Sequence, residues 1–166
     1  MRRSLFCLPC LSVALTLLTA TVAFADSPPT CAGKALPEIP LAADTECTTE
    51  AGVTLTVPTG WSIAARARAL LLEPPGGDSH LMLESVDAAD AASAVASAWQ
   101  SYRPTENRRL RIVLPQEARN GWDERHIYEY VSAPNEKLVV YALAWRADSH
   151  WTVTICLLYT SPSPRD

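Results

Sequence analysis

Alternation of apolar and polar residues predicts a series of strands downstream of Gly52. In "GVTLTVPTGW" the side chains of Val53, Leu55 and Val57 alternate with threonines, which is the two-residue period of a half-buried strand. A Pro-Thr-Gly turn closes this segment. Three further strands are predicted in "WSIAAR", "ALLLEP" and "SHLMLESV", and the break "PPGG" separates the last two.

The period of the pattern changes in "DAADAASAVASAWQSY", which predicts a helix. Its many alanines favour helix formation, and Val95, Trp99 and Tyr102 fall on one apolar stripe. Asp87 is the predicted N-cap, and the charge of Asp90 would then favour the first turn. The proline after "SYR" ends the helix.

Four more strands follow the helix. "RLRIVLP" is predicted to place Leu110, Ile112 and Leu114 on one face. Arg109 and Arg111 then lie on the other. The remaining three strands are "GWDERHIYEYVS", "KLVVYALAWRA" and "HWTVTI", and the long apolar second one is expected to be central.

The order of four strands, one helix and four strands predicts the fold class. We expect an α+β domain with a mainly antiparallel sheet of about seven or eight strands and one main helix packed on one face. Several strands are apolar on both sides. We therefore expect the other face of the sheet to be covered as well.

A cleaved signal peptide is predicted over residues 1–25. Two arginines follow the initial methionine, residues 5–22 are mainly apolar, and "AFA" provides a small-x-small cleavage motif. A membrane anchor is the alternative, because this mainly apolar run of 18 residues is just long enough to span a bilayer. Pro9 and the cleavage motif favour removal. The expected location is periplasmic or secreted, with no permanent membrane anchor.

Export changes what the five cysteines predict. Cys7 and Cys10 leave with the signal peptide, so their C-x-x-C spacing is not a redox or zinc motif. Cys31 and Cys47 form an even pair in an oxidising compartment. A disulfide between them would tie the extended Pro/Thr-rich leader, residues 26–50, to the domain that follows. Two unpaired thiols are the alternative.

Composition limits the classes of function. A chain of 166 residues suits one domain at most. The formal net charge of −4 argues against a nucleic-acid partner. "PPGGDSH" has the glycines of a phosphate loop but lacks the lysine and the following helix, so no cofactor is predicted.

The strand "WDERHIYEY" carries the strongest candidate for chemistry. Alternation places five of its side chains on one face: Trp122, Glu124, His126, Tyr128 and Tyr130. A histidine between a carboxylate and a phenol suits acid–base chemistry. The alternative is a polar and aromatic sheet face with a satisfied histidine. A lone histidine without a second ligand nearby argues against a metal site.

The sequence contains no nucleophile motif of the common serine hydrolases. No serine has a lysine three positions later, and Gly-x-Ser-x-Gly is absent. No catalytic residue is therefore predicted, and the chain is expected to be catalytically inert. The candidate site residues are the cluster Glu124, His126 and Tyr128, together with the cysteine pair.

From about Thr49 to Ile155 the sequence resembles a known class of domain. The segments are "GVTLTVPTGWSI", "LLLEPPGGDSHLMLESV", "AVASAWQSYRP" and "NGWDERHIYEYVSAPNEKLVVYALAWRADSHWTVTI". They are similar to the N-terminal accessory domain of exported bacterial serine hydrolases of the β-lactamase-related family. In such proteins a signal peptide and this small α+β domain precede a penicillin-binding-protein-like catalytic domain.

The resemblance implies that residues 51–155 are a non-catalytic accessory domain. Its partner would be a missing C-terminal catalytic domain of the same chain, which would hydrolyse an ester, amide or lactam through an acyl-serine. No catalytic residue carries over, because the family's Ser-x-x-Lys motif has no counterpart here. The alternative is a stand-alone exported binding or structural domain.

The tail "CLLYTSPSPRD", residues 156–166, differs from the rest of the chain. All 11 of its residues match the translation of a common transposase sequencing adapter. A natural Ser/Pro linker is the alternative. We interpret the tail as an adapter-derived artefact, and we expect the domain to be cut at its C-terminal end, after Ile155.

Overall fold

The computed structural model describes residue 31 and residues 39–66, 68–133 and 135–160. The predicted signal peptide, residues 26–30 and 32–38 of the leader and residues 161–166 of the tail lie outside the described residues. In chain order, the elements are β1 (Thr45–Thr48), β2 (Thr54–Val57), β3 (Ser62–Arg66), β4 (Ala69–Glu73), β5 (His80–Val86), α1 (Ala91–Tyr102), β6 (Leu110–Gln116), β7 (Glu124–Tyr130), β8 (Leu138–Ala147) and β9 (His150–Tyr159).

The described part of the chain forms one large and one small antiparallel sheet. The large sheet has seven strands in the order β3-β4-β5-β9-β8-β7-β6, and β1 and β2 form a separate pair. The α+β class, the mainly antiparallel sheet and the single main helix are confirmed. Within the described residues, no helix is long and apolar enough to cross a membrane.

The apolar strand β9 lies in the middle of the large sheet. It pairs with β5 on one side and with β8 on the other. Its residues are buried on both faces from Trp151 to Val153 and from Ile155 to Leu157. The strand continues to Tyr159, so residues 156–159 of the tail lie within the paired strand.

The helix begins three residues later than the sequence pattern predicts. Asp90 is the N-cap, because it has extended backbone and its carboxylate accepts a 2.7 Å hydrogen bond from the Ser93 amide. The prediction of Asp87 was wrong. Its carboxylate instead lies 2.6 Å from His150 Nδ1, because residues 87–89 lead the chain from the end of β5 onto the face of the sheet.

Helix α1 packs on β5, β8 and β9 and forms the main core with them. Small side chains meet at this contact, since Ala94 and Ala98 on the helix and Ala142 and Ala144 on β8 are all fully enclosed. Alanines on both surfaces let the helix backbone approach the sheet closely. Larger residues fill the rest of the core, namely Met82, Val95, Val140, Trp151, Val153, Ile155 and Leu157.

A second core lies on the opposite face of the large sheet, over β3 and β4. The β1–β2 pair covers this region, and Cys31 and Cys47 are joined by a disulfide within it, with their Cα atoms 5.5 Å apart. The other enclosed residues of this core are Val57, Ile63, Leu70 and Leu72. Strand β1 lies inside the predicted leader and was not predicted as a strand, because apolar and polar residues do not alternate regularly in "TECT".

Over β6, β7 and β8, none of the described elements covers this same face of the sheet. Ile112 and Leu114 are 44% and 39% exposed, and neighbouring apolar side chains of β7 and β8 are half-buried. The expectation that the second face is covered therefore holds only over β3 to β5 in the described residues. We call the uncovered region the open sheet face, which comprises Ile112, Leu114, Ile127, Tyr141 and Leu143.

The prediction that Leu110, Ile112 and Leu114 share one face was wrong. Leu110 is paired with Tyr130 on the helix side, whereas Ile112 is paired with Glu129 on the open side. A register shift between Leu110 and Ile112 inserts one residue, Arg111, and reverses the alternation.

Removal of the disulfide should destabilise the domain. The bond closes a loop with a sequence separation of 16, for which chain entropy suggests a loss of about 3 kcal/mol in the free energy of unfolding. Urea denaturation of the double variant Cys31→Ala/Cys47→Ala measures this loss. A reductant should destabilise the parent similarly and leave the variant unchanged. An unaltered midpoint in the variant would contradict the expected contribution.

Candidate functional site

The candidate cluster Glu124, His126 and Tyr128 lies on the helix face of β7. Register with β8 places these residues opposite Arg146, Ala144 and Ala142 respectively. The strand alternation predicted from sequence therefore holds for all three. Their surroundings differ, because Tyr128 lies under the helix whereas Glu124 lies near the end of the sheet.

Glu124 is held between two nitrogen donors. Its Oε1 lies 2.8 Å from His126 Nε2, and its Oε2 lies 3.2 Å from Arg146 Nε. The hydrogen bond from His126, followed by that from Arg146, lowers the pKa of Glu124. The carboxylate is therefore an ionised acceptor with both oxygens engaged, which does not suit a general base.

His126 has one ring nitrogen engaged and the other enclosed. Nε2 faces Glu124, while Nδ1 is buried and has no hydrogen-bond partner among the described residues. The ring lies beside Trp151 and Tyr128, with centroid separations of 6.3 Å and 6.4 Å. A substrate therefore has no direct path to Nδ1, although this nitrogen would be the free base.

Tyr128 is near His126 but does not form a relay with it. The side chain is only 6% exposed, and burial raises the pKa of its phenol. Its contact with His126 is between tilted rings, and no hydrogen bond joins the two side chains. The geometry therefore favours the interpretation of this cluster as a polar and aromatic sheet face, on which His126 is held by Glu124 and by the neighbouring rings.

Trp122 does not share this face, which corrects the alternation predicted for the whole segment. Its ring contacts Trp145, 5.5 Å away between centroids. Trp145 is paired with Arg125 and lies on the opposite side of the sheet. The alternation fails because Trp122 precedes β7, in a turn where Asn120 and Gly121 have positive φ.

Other reactive groups in the described residues do not assemble a site. No group of three or more His, Cys, Asp or Glu side chains is arranged to hold a metal ion there. Cys31 and Cys47 form the disulfide of the second core. Burial raises the pKa of the Cys156 thiol to about 11, so it is not a reactive thiolate at neutral pH.

Arg146 is the member of the cluster that sequence reasoning missed. It lies 22 residues from Glu124 and reaches it only through the pairing of β7 with β8. Its guanidinium also lies over the Trp151 ring at 5.9 Å. The sequence did indicate that β7 and β8 form an antiparallel hairpin, which could have brought Arg146 near Glu124. The register of the hairpin depends on which residues form its turn, and the sequence pattern did not determine this register.

Comparison of the chain with protein-family models and with curated proteins finds no match. The geometry and the sequence resemblance therefore carry the functional interpretation.

Loss of the Glu124 charge should weaken the fold in a pH-dependent way. Because the folded-state pKa of Glu124 is lowered, its contribution is fully present above the unfolded pKa and is lost as pH falls through the folded pKa. Glu124→Gln should therefore be less stable at pH 7, by up to about 1 kcal/mol for a partly exposed pair. The difference should disappear in acid.

Urea denaturation between pH 7 and pH 2 tests this, with Glu117→Gln as the control. Glu117 is exposed, and its side chain has no partner among the described residues. Equal destabilisation by both variants, or a loss that persists unchanged in acid, would refute the role of the Glu124 ion pairs.

Proposed function

We propose that this chain is the N-terminal, non-catalytic portion of an exported serine hydrolase of the β-lactamase-related family. Its folded part would be an accessory domain that docks onto a downstream catalytic domain of the same polypeptide. That domain would hydrolyse an ester, amide or lactam through an acyl-serine. The sequence supports this proposal through the resemblance over residues 49–155. The structure supports the docking role through the open sheet face, whose apolar side chains lack cover in the described residues.

The non-catalytic assignment rests on the closed polar cluster. Glu124 has both oxygens engaged by His126 and Arg146. The remaining nitrogen of His126 is enclosed, and no serine, threonine or cysteine is hydrogen-bonded to it in the described part of the chain. A nucleophile activated by a base requires such a contact.

The docking role rests on the unequal cover of the sheet. The helix covers one face over β5, β8 and β9, and the β1–β2 pair covers the other face only over β3 and β4. Exposed Ile112 and Leu114 lie together with half-buried Tyr141 on the part of this second face that is formed by β6, β7 and β8. A contiguous apolar patch of this kind on an exported domain is typical of an interface.

Charges at the edge of the open sheet face suggest the polarity of the partner surface. Arg111 is neutralised by Glu129, with Nη1 and Oε1 2.6 Å apart. Neighbouring Arg109 lines the same hollow as Arg111 and Tyr141, and its side chain has no partner among the described residues. The partner surface should therefore be apolar with a carboxylate at its border.

The alternative is a stand-alone exported binding or structural domain. The two cores and the disulfide favour it, because they give the domain the means to fold without a partner. In that case the open sheet face would bind a separate molecule or a second copy of the chain.

Sequencing the source DNA across codon 155 separates these two functions. The proposal expects the natural reading frame to continue past Ile155 into several hundred residues with a Ser-x-x-Lys motif. Leu157 belongs to the adapter-like tail, but its position in β9 between β5 and β8 is only 1% exposed. The proposal therefore expects the natural reading frame to encode an apolar residue at position 157. A stop codon soon after Ile155, or a long frame without Ser-x-x-Lys, would eliminate the hydrolase proposal.

Charged residues on the open sheet face should uncouple the two domains of the natural full-length protein. Ile112→Glu/Leu114→Glu places two charges in a desolvated contact, whereas both positions tolerate polar residues in the free domain. Calorimetry should show one cooperative unfolding transition for the parent and two for the variant. Ser97→Glu, on the exposed side of α1, is the control and should retain one transition.

If the double variant still unfolds in a single transition, the open sheet face is not the domain interface. If the chain instead dimerises through this face in light-scattering measurements, and the double variant is monomeric, the alternative function is supported.

A further inference from the structure

A groove runs along the helix face of the sheet, where α1 stops short of the edge. The helix packs on β5, β8 and β9, so it leaves part of β7 and β6 open beside it. The resulting space has a volume of about 380 Å³, which lies at the lower end of the range for small-molecule sites. It is on the opposite side of the sheet from the open sheet face.

The walls of the groove are mainly apolar. Val95 and the ring of Trp99 come from the helix, and Leu110 comes from β6. Leu110 is 45% exposed, although it is paired with Tyr130 on the helix side. A hydrocarbon group in the groove would remove this side chain from water.

Two tyrosine hydroxyls in the groove can donate hydrogen bonds and have no acceptor among the described residues. Tyr128 lines the groove, and its side chain as a whole is more than nine-tenths buried. Its hydroxyl has no hydrogen-bond partner among the described residues and is not one of the fully enclosed polar atoms there, so a molecule in the groove can reach it. The Tyr130 oxygen accepts a 2.9 Å hydrogen bond from Trp99 Nε1, which leaves its O–H without an acceptor in the same described part. Burial raises the pKa of both phenols, so both keep their protons at neutral pH.

Charges at the rim of the groove cancel. Arg103 Nη1 lies 3.5 Å from Glu106, and Arg108 lies 2.8 Å from Glu106 and 2.9 Å from Glu136. Two guanidinium groups are thus balanced by two carboxylates. The rim therefore offers no net charge to attract an anion or a cation.

We propose that this groove binds a small uncharged molecule with an apolar body and a carbonyl group, of the acyl amide or ester class. The carbonyl oxygen accepts a hydrogen bond from Tyr128, and the hydrocarbon part covers Leu110 and contacts Val95. The site is independent of the proposed accessory function, because it lies on the other face of the sheet and requires no second domain.

The binding experiment uses the chain itself and three probes of matched length: hexanamide, hexanoate and hexylammonium. The indole N–H signal of Trp99 in ¹⁵N-labelled protein reports on the groove, since this group donates to Tyr130. Hexanamide should shift this signal in a saturable way and bind more tightly than either charged probe. The Trp145 indole, on the opposite face, should not shift.

Tyr128→Phe tests the role of the hydroxyl with almost no change in shape. Loss of one hydrogen bond should weaken hexanamide binding about threefold to tenfold. Tyr141→Phe, on the other face of the sheet, is the matched control and should bind as the parent does. Thermal unfolding of both variants verifies that they are folded.

Three results would overturn the proposal. One is the absence of a saturable Trp99 shift with hexanamide, which would mean that the groove holds only water. Another is tighter binding of hexanoate or hexylammonium, which would assign a charged ligand. The third is unchanged hexanamide affinity in folded Tyr128→Phe.

Discussion

The pairing of β9 between β5 and β8 holds the two halves of this domain together. Strands β3 to β5 precede the helix and strands β6 to β8 follow it. Among the described strands, only β9 is hydrogen-bonded to both sets. Across the centre of the sheet, Met82 is paired with Ile155 and Ile155 with Ala142. The helix packs over the same three strands, so the main core depends on this register as well.

Unequal cover of the two sheet faces follows from the size of the covering elements. The helix has 12 residues and the small sheet has two four-residue strands, and neither is wide enough for seven strands. The helix leaves the groove beside Leu110, and the small sheet leaves the open sheet face around Ile112 and Leu114. Both of these candidate interaction surfaces therefore arise at the β6 side of the sheet.

The polar cluster on β7 illustrates why neighbouring polar residues need not form a catalytic site. A nucleophile that is activated by a general base requires a free, accessible lone pair of that base close to it. Here the ion pairs of Glu124 with His126 and Arg146 engage the carboxylate, and packing encloses the other nitrogen of His126. The same side chains instead fix the end of β7 against β8, which is a structural contribution.

Local periodicity in the sequence was sufficient to predict eight of the nine strands and the helix that the structure describes, together with the fold class, because strand and helix periods are properties of neighbouring residues. It also placed Glu124, His126 and Tyr128 on one face. It failed where the backbone leaves its regular path, as at the bulge beside Ile112, at the turn before β7 that carries Trp122, and at the start of the helix.

Sequence by itself thus determined most of the elements and, along the regular stretches of strand, which side chains share a face. Tertiary structure alone decided the position of β9, the contact of Arg146 with Glu124, the enclosure of His126 Nδ1 and the placement of the Tyr128 hydroxyl in the groove, without a partner among the described residues. These features depend on strand register and on the reach of the helix across the sheet. Such non-local relations are set by packing among residues far apart in the chain, and no short window of sequence contains them.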